Sequence, residues 1–465
     1  MLDFFADSVS DLNHSIPIIP ILRNDFSDWI KGQPDHLRNW MLINDFTAKS
    51  ASCCIIPNQH GKIEQVFLGI KDNDDFWAFA SLPQNLYGSD IYRIESKNFT
   101  KEQLQRILIG WGLGGYRYTR YKTRDVKKSG VKLLLPEGCD RNYVENIVSS
   151  VYFVRDAINM PAEDMNTKAL AKAAEDIASQ FGAEFRKFVG EELLQQNFPS
   201  VHMMGRASVN PPILVDINWG AKNLPKVTLV GKGVCFDSGG LDLKPPSGME
   251  AMKKDMGGAA HVLGLAQMIM RAKLPINLRV IIPIIENLVS GSSCKPGDIV
   301  KTRKGITVEI TNTDAEGRMI LCDALAYACE SNPEMLIDFA TLTGAARVAV
   351  GTEISALFGN DDKIVEDVIN CANREQDAMW HMPLFTPYKE LMESKIADLQ
   401  NASNSGYGGA ITAALFLEEF IDAKTKWLHF DIMGSNVKTK PGRPQGGEAM
   451  GIRGVFNYLQ RKFSA

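Results

Sequence analysis

Hydrophobic and polar positions divide the chain into two stretches of different rhythm. Over residues 1–140, short apolar runs at Ile16–Leu22 and Ile63–Ile70 alternate with polar turns, the pattern of a small N-terminal α/β domain. From Asn142 to Asn159 apolar residues recur at helical spacing. They predict a linker helix over residues 141–160, ended by the turn at Met160 and Pro161. Asn166 then caps a second helix, TKALAKAAEDIASQF. Beyond it, strand-like and helix-like segments alternate. Strands are predicted at Ile213 to Asn218, Val227 to Val230, Leu278 to Ile282, Ile306 to Ile310, Met335 to Phe339 and Trp427 to Ile432. Helices are predicted at Gly258 to Arg271, Arg318 to Glu330 and Ala410 to Phe420. The fold class is therefore α/β in two domains: a smaller N-terminal α/β domain, and a larger one over residues 161–465 with a mixed central sheet sandwiched by helices. Ligands of such sheets bind beyond the carboxyl ends of the strands.

Composition narrows the class without naming it. The 465 residues are 45% hydrophobic and 23% charged, enough for a large core, and the net charge of −4 points to neither nucleic acid nor an anionic membrane. The opening MLDFFADSVSDLNHS carries acids where a secretory leader carries Lys or Arg, and no run of about 18 apolar residues follows anywhere. The eight cysteines form no CxxC pair. Adjacent Cys53 and Cys54 read as small buried residues, and Cys322 and Cys329 as core positions on one helix. A reduced, cytoplasmic protein is expected.

One stretch runs against the acidic balance: YRYTRYKTRDVKKSGVK, with Arg117, Arg120, Lys122, Arg124, Lys127 and Lys128 interleaved by Tyr116, Tyr118 and Tyr121. It reads first as a solvated connector beside the domain boundary and second as a nucleic-acid patch.

Several motifs fail. No HExxH or HxxEH set, no GxSxG elbow and no GxxxxGK[ST] loop occurs. Gly110, Gly112 and Gly115 match GxGxxG, but the preceding TKEQLQRILIG reads as a helix rather than a strand. Close helix packing explains these glycines better than a dinucleotide does.

The informative side chains follow strands. VTLV runs into GKGVCFDSGGLDLKPP, a glycine-rich turn holding Lys232, Asp237 and Lys244. Asp255 comes next, at the head of a helix, where an ordinary N-cap is the plain reading. The strand GITVEI then leads to TNTDAEGRM, with Asp314, Glu316 and Arg318 at two-residue spacing. In extended backbone, alternate residues share a side, so all three can face one cavity. Four acids converging on one fixed arginine are costly to bury, and metal ions resolve the excess charge better than Arg318 does. Carboxylates without thiolates suit Mn²⁺, Mg²⁺ or Zn²⁺.

These segments resemble the leucyl aminopeptidase family of dinuclear metallo-exopeptidases. The likeness rests on NTDAEGR (312–318), VGKG…FDSGGL…KP (230–245) and DMGGAA (255–260). VRDAINMPAEDM, ATLTGA, HMPL, ADLQN and HFDIMG extend it over roughly residues 150 to 450. The resemblance implies a catalytic domain with two divalent ions per subunit, Mn²⁺ or Zn²⁺, with Mg²⁺ or Co²⁺ as further options. Lys232, Asp237, Asp255 and Glu316 would bind one ion, and Asp237, Asp314 and Glu316 the other. Lys232 ligates only as a neutral amine, so its pKa would have to fall beside the cation. Lys244 would stabilise the oxyanion, and Arg318 would hold a bicarbonate that serves as general base, with backbone help near Leu342. The pocket for the first side chain would comprise Met252, Thr341, Leu342, Gly344 and Met433, the last standing where relatives usually carry alanine. Peptides with apolar first residues such as Leu or Met are the implied substrates. A homohexamer of two trimers is the implied assembly, and some relatives also bind DNA.

Overall fold

The computed structural model describes residues 4–7, 15–88, 90–124 and 130–464. The chain divides into two compact units, Met1–Tyr152 with Lys438–Gln445, and Phe153–Val437 with Gly446–Ala465. That division lies later than the expected boundary near residue 140, inside the helix Arg141–Asn159. The first half of this helix belongs to the N-terminal unit by its contacts: Tyr152 Oη donates to the Gly112 carbonyl at 2.6 Å. The return of residues 438–445 to that unit leaves no trace in the hydrophobic pattern. Gly442 packs there against Trp77 and Ala80.

In the N-terminal unit a sheet runs in the order Phe5–Ala6, Lys132–Leu134, Ile91–Ile94, Ile16–Leu22, Ile63–Ile70, Cys53–Pro57. Its pairs are parallel except the last. The apolar runs of the sequence supply its two longest strands. Cys53 and Cys54 lie on the edge strand as free thiols. The GxGxxG match sits within and just after the helix Lys101–Gly114, which opens on a Thr100/Gln103 capping box. A Cβ on Gly110 would come 2.5 Å from the Phe76 carbonyl, and one on Gly112 2.7 Å from Val148 Cγ2. Close packing is indeed what these glycines serve. In the basic stretch Arg117, Arg120, Lys122 and Arg124 are exposed. Tyr116 is buried edge-on to Tyr152, whereas Lys127 and Lys128 lie outside the described residues.

The second unit is built on a mixed sheet in the order Met379–His381, Ser355–Gly359, Lys426–Asp431, Met335–Ala340, Lys226–Gly231, Asn277–Asn287, Ile213–Trp219, Glu184–Val189, with Gly233–Asp237 also paired to Asn277–Asn287. Lys426–Asp431, Met335–Ala340, Lys226–Gly231 and Asn277–Asn287 run parallel. The central strands are mostly apolar, as expected where helices cover both faces, with Asp338 and His429 paired to each other inside the sheet. The helix Glu316–Cys329 carries Met319, Ile320, Leu321 and Leu325 into a core shared with Leu336, Phe416, Phe420 and Trp427. Each such side chain contributes about 1.5–3 kcal/mol by burial. Cys322 and Cys329 are core residues of this helix. Asn166 caps Thr167–Gln180 by accepting from Ala169 N. No helix among the described residues is long and apolar enough to cross a membrane.

Candidate metal centre at the strand ends

The parallel strands all stop at one place, and the polar residues of interest follow them. Lys232 succeeds Lys226–Gly231, Asp237 closes Gly233–Asp237, Asn287 closes Asn277–Asn287, Thr341 to Gly344 succeed Met335–Ala340, and Asp431 closes Lys426–Asp431. This is the carboxyl end of the sheet, where backbone donors and acceptors leave the ladder and can face a ligand.

Asp237, Asp255 and Glu316 each offer a carboxylate oxygen here, all within 4.8 Å of one another. All three are buried, at 3% exposure or less. Asp237 Oδ1 accepts from Gly239 N and Asn287 Nδ2, both at 2.9 Å. Asp255 Oδ1 accepts from Thr341 Oγ1 at 2.8 Å. Glu316 Oε2 has no hydrogen-bond partner among the described residues. Lys232 Nζ lies 2.8 Å from Asp255 Oδ2 and 2.9 Å from Glu316 Oε1, and donates to the Thr341 carbonyl at 3.0 Å. Lys244 Nζ lies 2.8 Å from Asp237 Oδ2 and also pairs with Asp314 Oδ1. The close passage of Lys232 explains Gly317, since a Cβ there would come 2.6 Å from Lys232 Cε.

Burial and then the Asp237 carboxylate push Glu316 up to about 8. Burial and Asp255 likewise push Asp237 up to about 6. Burial works against the charge of Lys232, yet Asp255, Glu316 and Asp237 together hold its ammonium above the ordinary lysine range. Lys244 is held high in the same way, by Asp237 against burial. The donor set fits a cation: clustered, dry carboxylates with an orphaned oxygen, and lysines whose protons neutralise the surplus otherwise.

Three local readings need correction. Asp314, Glu316 and Arg318 do not alternate along an extended segment, because a helix starts at Glu316 and holds Glu316 and Arg318 in its first turn. Arg318 is not the cation of the carboxylate cluster either. Its Nη1 donates to the Asn401 carbonyl at 2.7 Å, and its buried Nε has no hydrogen-bond partner among the described residues. Asp255 is not an N-cap. It lies in a 3-10 turn, Met252–Met256, before the helix Gly257–Arg271.

These groups line one cavity of about 350 Å³, together with Met252, Thr341, Leu342 and Gly344. Met433 is half-buried and does not line it. The Leu342 N–H donates to Asp431 Oδ1 at 3.0 Å, and Thr343 N and Oγ1 also donate to that carboxylate. Asp431 thereby fixes the turn that follows the strand, and the Leu342 amide is engaged within the fold. Sequence reasoning gave no role to Asp431, Asn287 or Asn401, although HFDIMG and ADLQN contain two of them. It also passed over two cations that line the cavity, Lys254 and Arg347.

The fold and this centre define an α/β enzyme with an acidic cluster at its strand ends. Residues 152–456 match the family described as the cytosol aminopeptidase family, catalytic domain, and residues 16–136 match the M17 aminopeptidase, N-terminal domain. The chain belongs to this family, and aminopeptidase hydrolysis is the activity that membership assigns to it. A probable cytosol aminopeptidase of Chlorobium limicola is 38% identical over 442 residues, covering 90% of this chain and 84% of the relative. One from Geobacter sulfurreducens is 38% identical over 368 residues, covering 76% and 74%. The crystal structure of a cytosol aminopeptidase from Coxiella burnetii superposes with a TM-score of 0.92 at 44% identity over 97% of both chains. The bottromycin maturation enzyme BotP, in complex with Mn, superposes with a TM-score of 0.87 at 28% identity, over 96% of this chain and 99% of that one.

Proposed function

We propose that this aminopeptidase is a dinuclear metal enzyme of the cytoplasm that releases first residues such as Leu or Met from peptides. The observation that carries the reading is the Asp237, Asp255 and Glu316 cluster with its orphaned Glu316 oxygen. Lys232, Asp237, Asp255 and Glu316 would hold one divalent ion, and Asp237, Asp314 and Glu316 a second. Mn²⁺ suits the carboxylate donors, and the Mn of BotP supports it, while Zn²⁺ rests on likeness to the family. Bound there, such ions lower the pKa of a coordinated water and polarise a carbonyl.

The chain's own residues supply the rest. Asn287 and Gly239 orient Asp237, and Thr341 orients Asp255. Lys244, which pairs with Asp237 and Asp314, would stabilise the developing oxyanion. Such a contact is worth about 3–4 kcal/mol. Arg318 would hold a bicarbonate ion, which its unpartnered, buried Nε supports. Met252 and Thr341 would receive the first side chain. The naming of relatives as cytosol aminopeptidases supports the location, and likeness to the family supports a homohexamer of two trimers. A DNA-binding role has less behind it, because Tyr116 is buried rather than free to stack on a base.

The test is turnover of aminoacyl anilides after chelation and re-addition of Mn²⁺, Zn²⁺, Mg²⁺ or Co²⁺. Activity should vanish with the chelator and return with metal, highest for Leu or Met. Full activity of the stripped protein would refute the reading.

A further inference from the structure

The cavity has a second side that the aminopeptidase chemistry above does not use. Lys254 and Arg347 both line it. Lys254 sits in the 3-10 turn between Met252 and Asp255 and is only 4% exposed. Arg347 lies one turn into the helix Gly344–Val350, which Thr343 caps by accepting from Ala346 N. Its Nη2 is 3.6 Å from where a Cβ on Gly344 would stand, so the guanidinium reaches back to the cavity wall.

Among the described residues neither cation forms an ion pair. The acids that lie near Lys254 are committed elsewhere. Asp255 is held by Lys232 and Thr341, and Asp431 accepts from Leu342 N, Thr343 N and Thr343 Oγ1. Holding a buried ammonium beside a half-buried guanidinium, with the nearby carboxylates already engaged by other donors, is costly. It would become more so on the reading above, because divalent ions would neutralise the carboxylates across the cavity. A visiting anion removes the cost, and a planar guanidinium beside an ammonium suits a carboxylate.

We propose that Lys254 and Arg347 form a subsite for a carboxylate of the peptide substrate, so that the enzyme selects acidic peptides over their neutral isosteres. The inference rests on the aminopeptidase reading and specifies its substrate class. The carboxylate has three possible sources: the first side chain, the second side chain, or the C-terminus of a dipeptide.

Three substrate pairs separate these sources on Mn²⁺-loaded enzyme. They are Glu- against Gln-anilide, Leu-Glu-amide against Leu-Gln-amide, and Leu-Ala against Leu-Ala-amide. At least one pair should favour the carboxylate by about tenfold in kcat/KM, the scale of a charge-assisted hydrogen bond. That ratio should fall to within about twofold in Arg347→Gln and in Lys254→Met. Taking the ratio within each variant cancels any general loss of activity. Calorimetric titration of chelator-treated protein with the same peptides reads the contrast without turnover, and the acidic member should bind more tightly. Failure of wild type to cleave any Leu substrate would sink the aminopeptidase reading, with the titration still deciding the subsite. Cleavage and binding without discrimination in every pair, or a preference that survives both substitutions, would overturn the subsite alone.

Discussion

Two buried charge clusters in the catalytic unit answer the same electrostatic problem differently. Arg155 and Glu448 form a pair with side chains 0% and 3% exposed. Arg155 Nε and Nη2 both donate to Glu448 Oε1, while Asn436 Nδ2 and Ala449 N donate to the same carboxylate. Among the described contacts one charge meets one charge, and the carboxylate oxygens are engaged. At the strand ends, Asp237, Asp255, Asp314 and Glu316 share their ion pairs with two lysines, Lys232 and Lys244, so carboxylates outnumber the cations paired to them, and Glu316 Oε2 has no hydrogen-bond partner among the described residues. The first arrangement is complete as it stands and reads as scaffold. The second is complete only with something further in it, and reads as a site. Burial alone does not separate scaffold from site, whereas stoichiometry of charge does.

Substitutions should split the two clusters cleanly. Glu316→Gln should lower kcat/KM of the Mn²⁺-loaded enzyme by about four orders of magnitude, ~5.5 kcal/mol in barrier. It should also abolish the rise in melting temperature on adding Mn²⁺, which calorimetry would show. Glu448→Gln should do the opposite. It leaves Arg155 buried without its counter-charge, costing about 3–5 kcal/mol in urea unfolding, while kcat of the folded enzyme stays within a fewfold. Equal effects of both substitutions on stability and turnover would erase the distinction.

Lys244→Met tests the division from inside the site. Loss of the oxyanion contact should cost about 3 kcal/mol, a few hundredfold in kcat, with KM little changed. A rise in KM alone would assign Lys244 to substrate binding.

The smallest effect concerns a third solution to buried charge, a side chain kept neutral. His261 is fully buried, with Nδ1–H donating to the Gly257 carbonyl and Nε2 accepting from Met450 N. Burial pulls it down to about 4, below the ~6.5 of an unfolded histidine. The unfolded chain therefore binds the extra proton first. The contribution to stability is full above pH 6.5 and is lost as pH falls toward 4. Between pH 7.5 and 5 it should amount to about 2 kcal/mol, read as the difference in urea midpoint between wild type and His261→Gln. An identical pH response in both would assign the acid sensitivity elsewhere.

Much of this could be read from the chain. The strands of the central sheet and the helices beside it follow from apolar runs and helical spacing, because both faces of the sheet are covered and the pattern is clean. The metal-candidate acids were legible through NTDAEGR and its companion motifs. The conformation that gathers them was not. Alternation suggested an extended 314–318, but a two-residue spacing does not distinguish a strand from the entry of a helix, and the helix starts at Glu316. Asn287 and Asp431 act through hydrogen bonds to residues 50 and 88 or 89 positions away, which no local pattern displays. Lys254 and Arg347 stand in no pattern that marks them in the sequence, and only the packing brings them to the cavity wall.

The most direct test counts ions. Protein equilibrated with Mn²⁺, freed of excess by dialysis and measured by atomic emission, should retain two ions per chain. Glu316→Gln should retain fewer, with activity falling in step. A chain that retains none and still cleaves Leu-anilide at full rate would contradict the account.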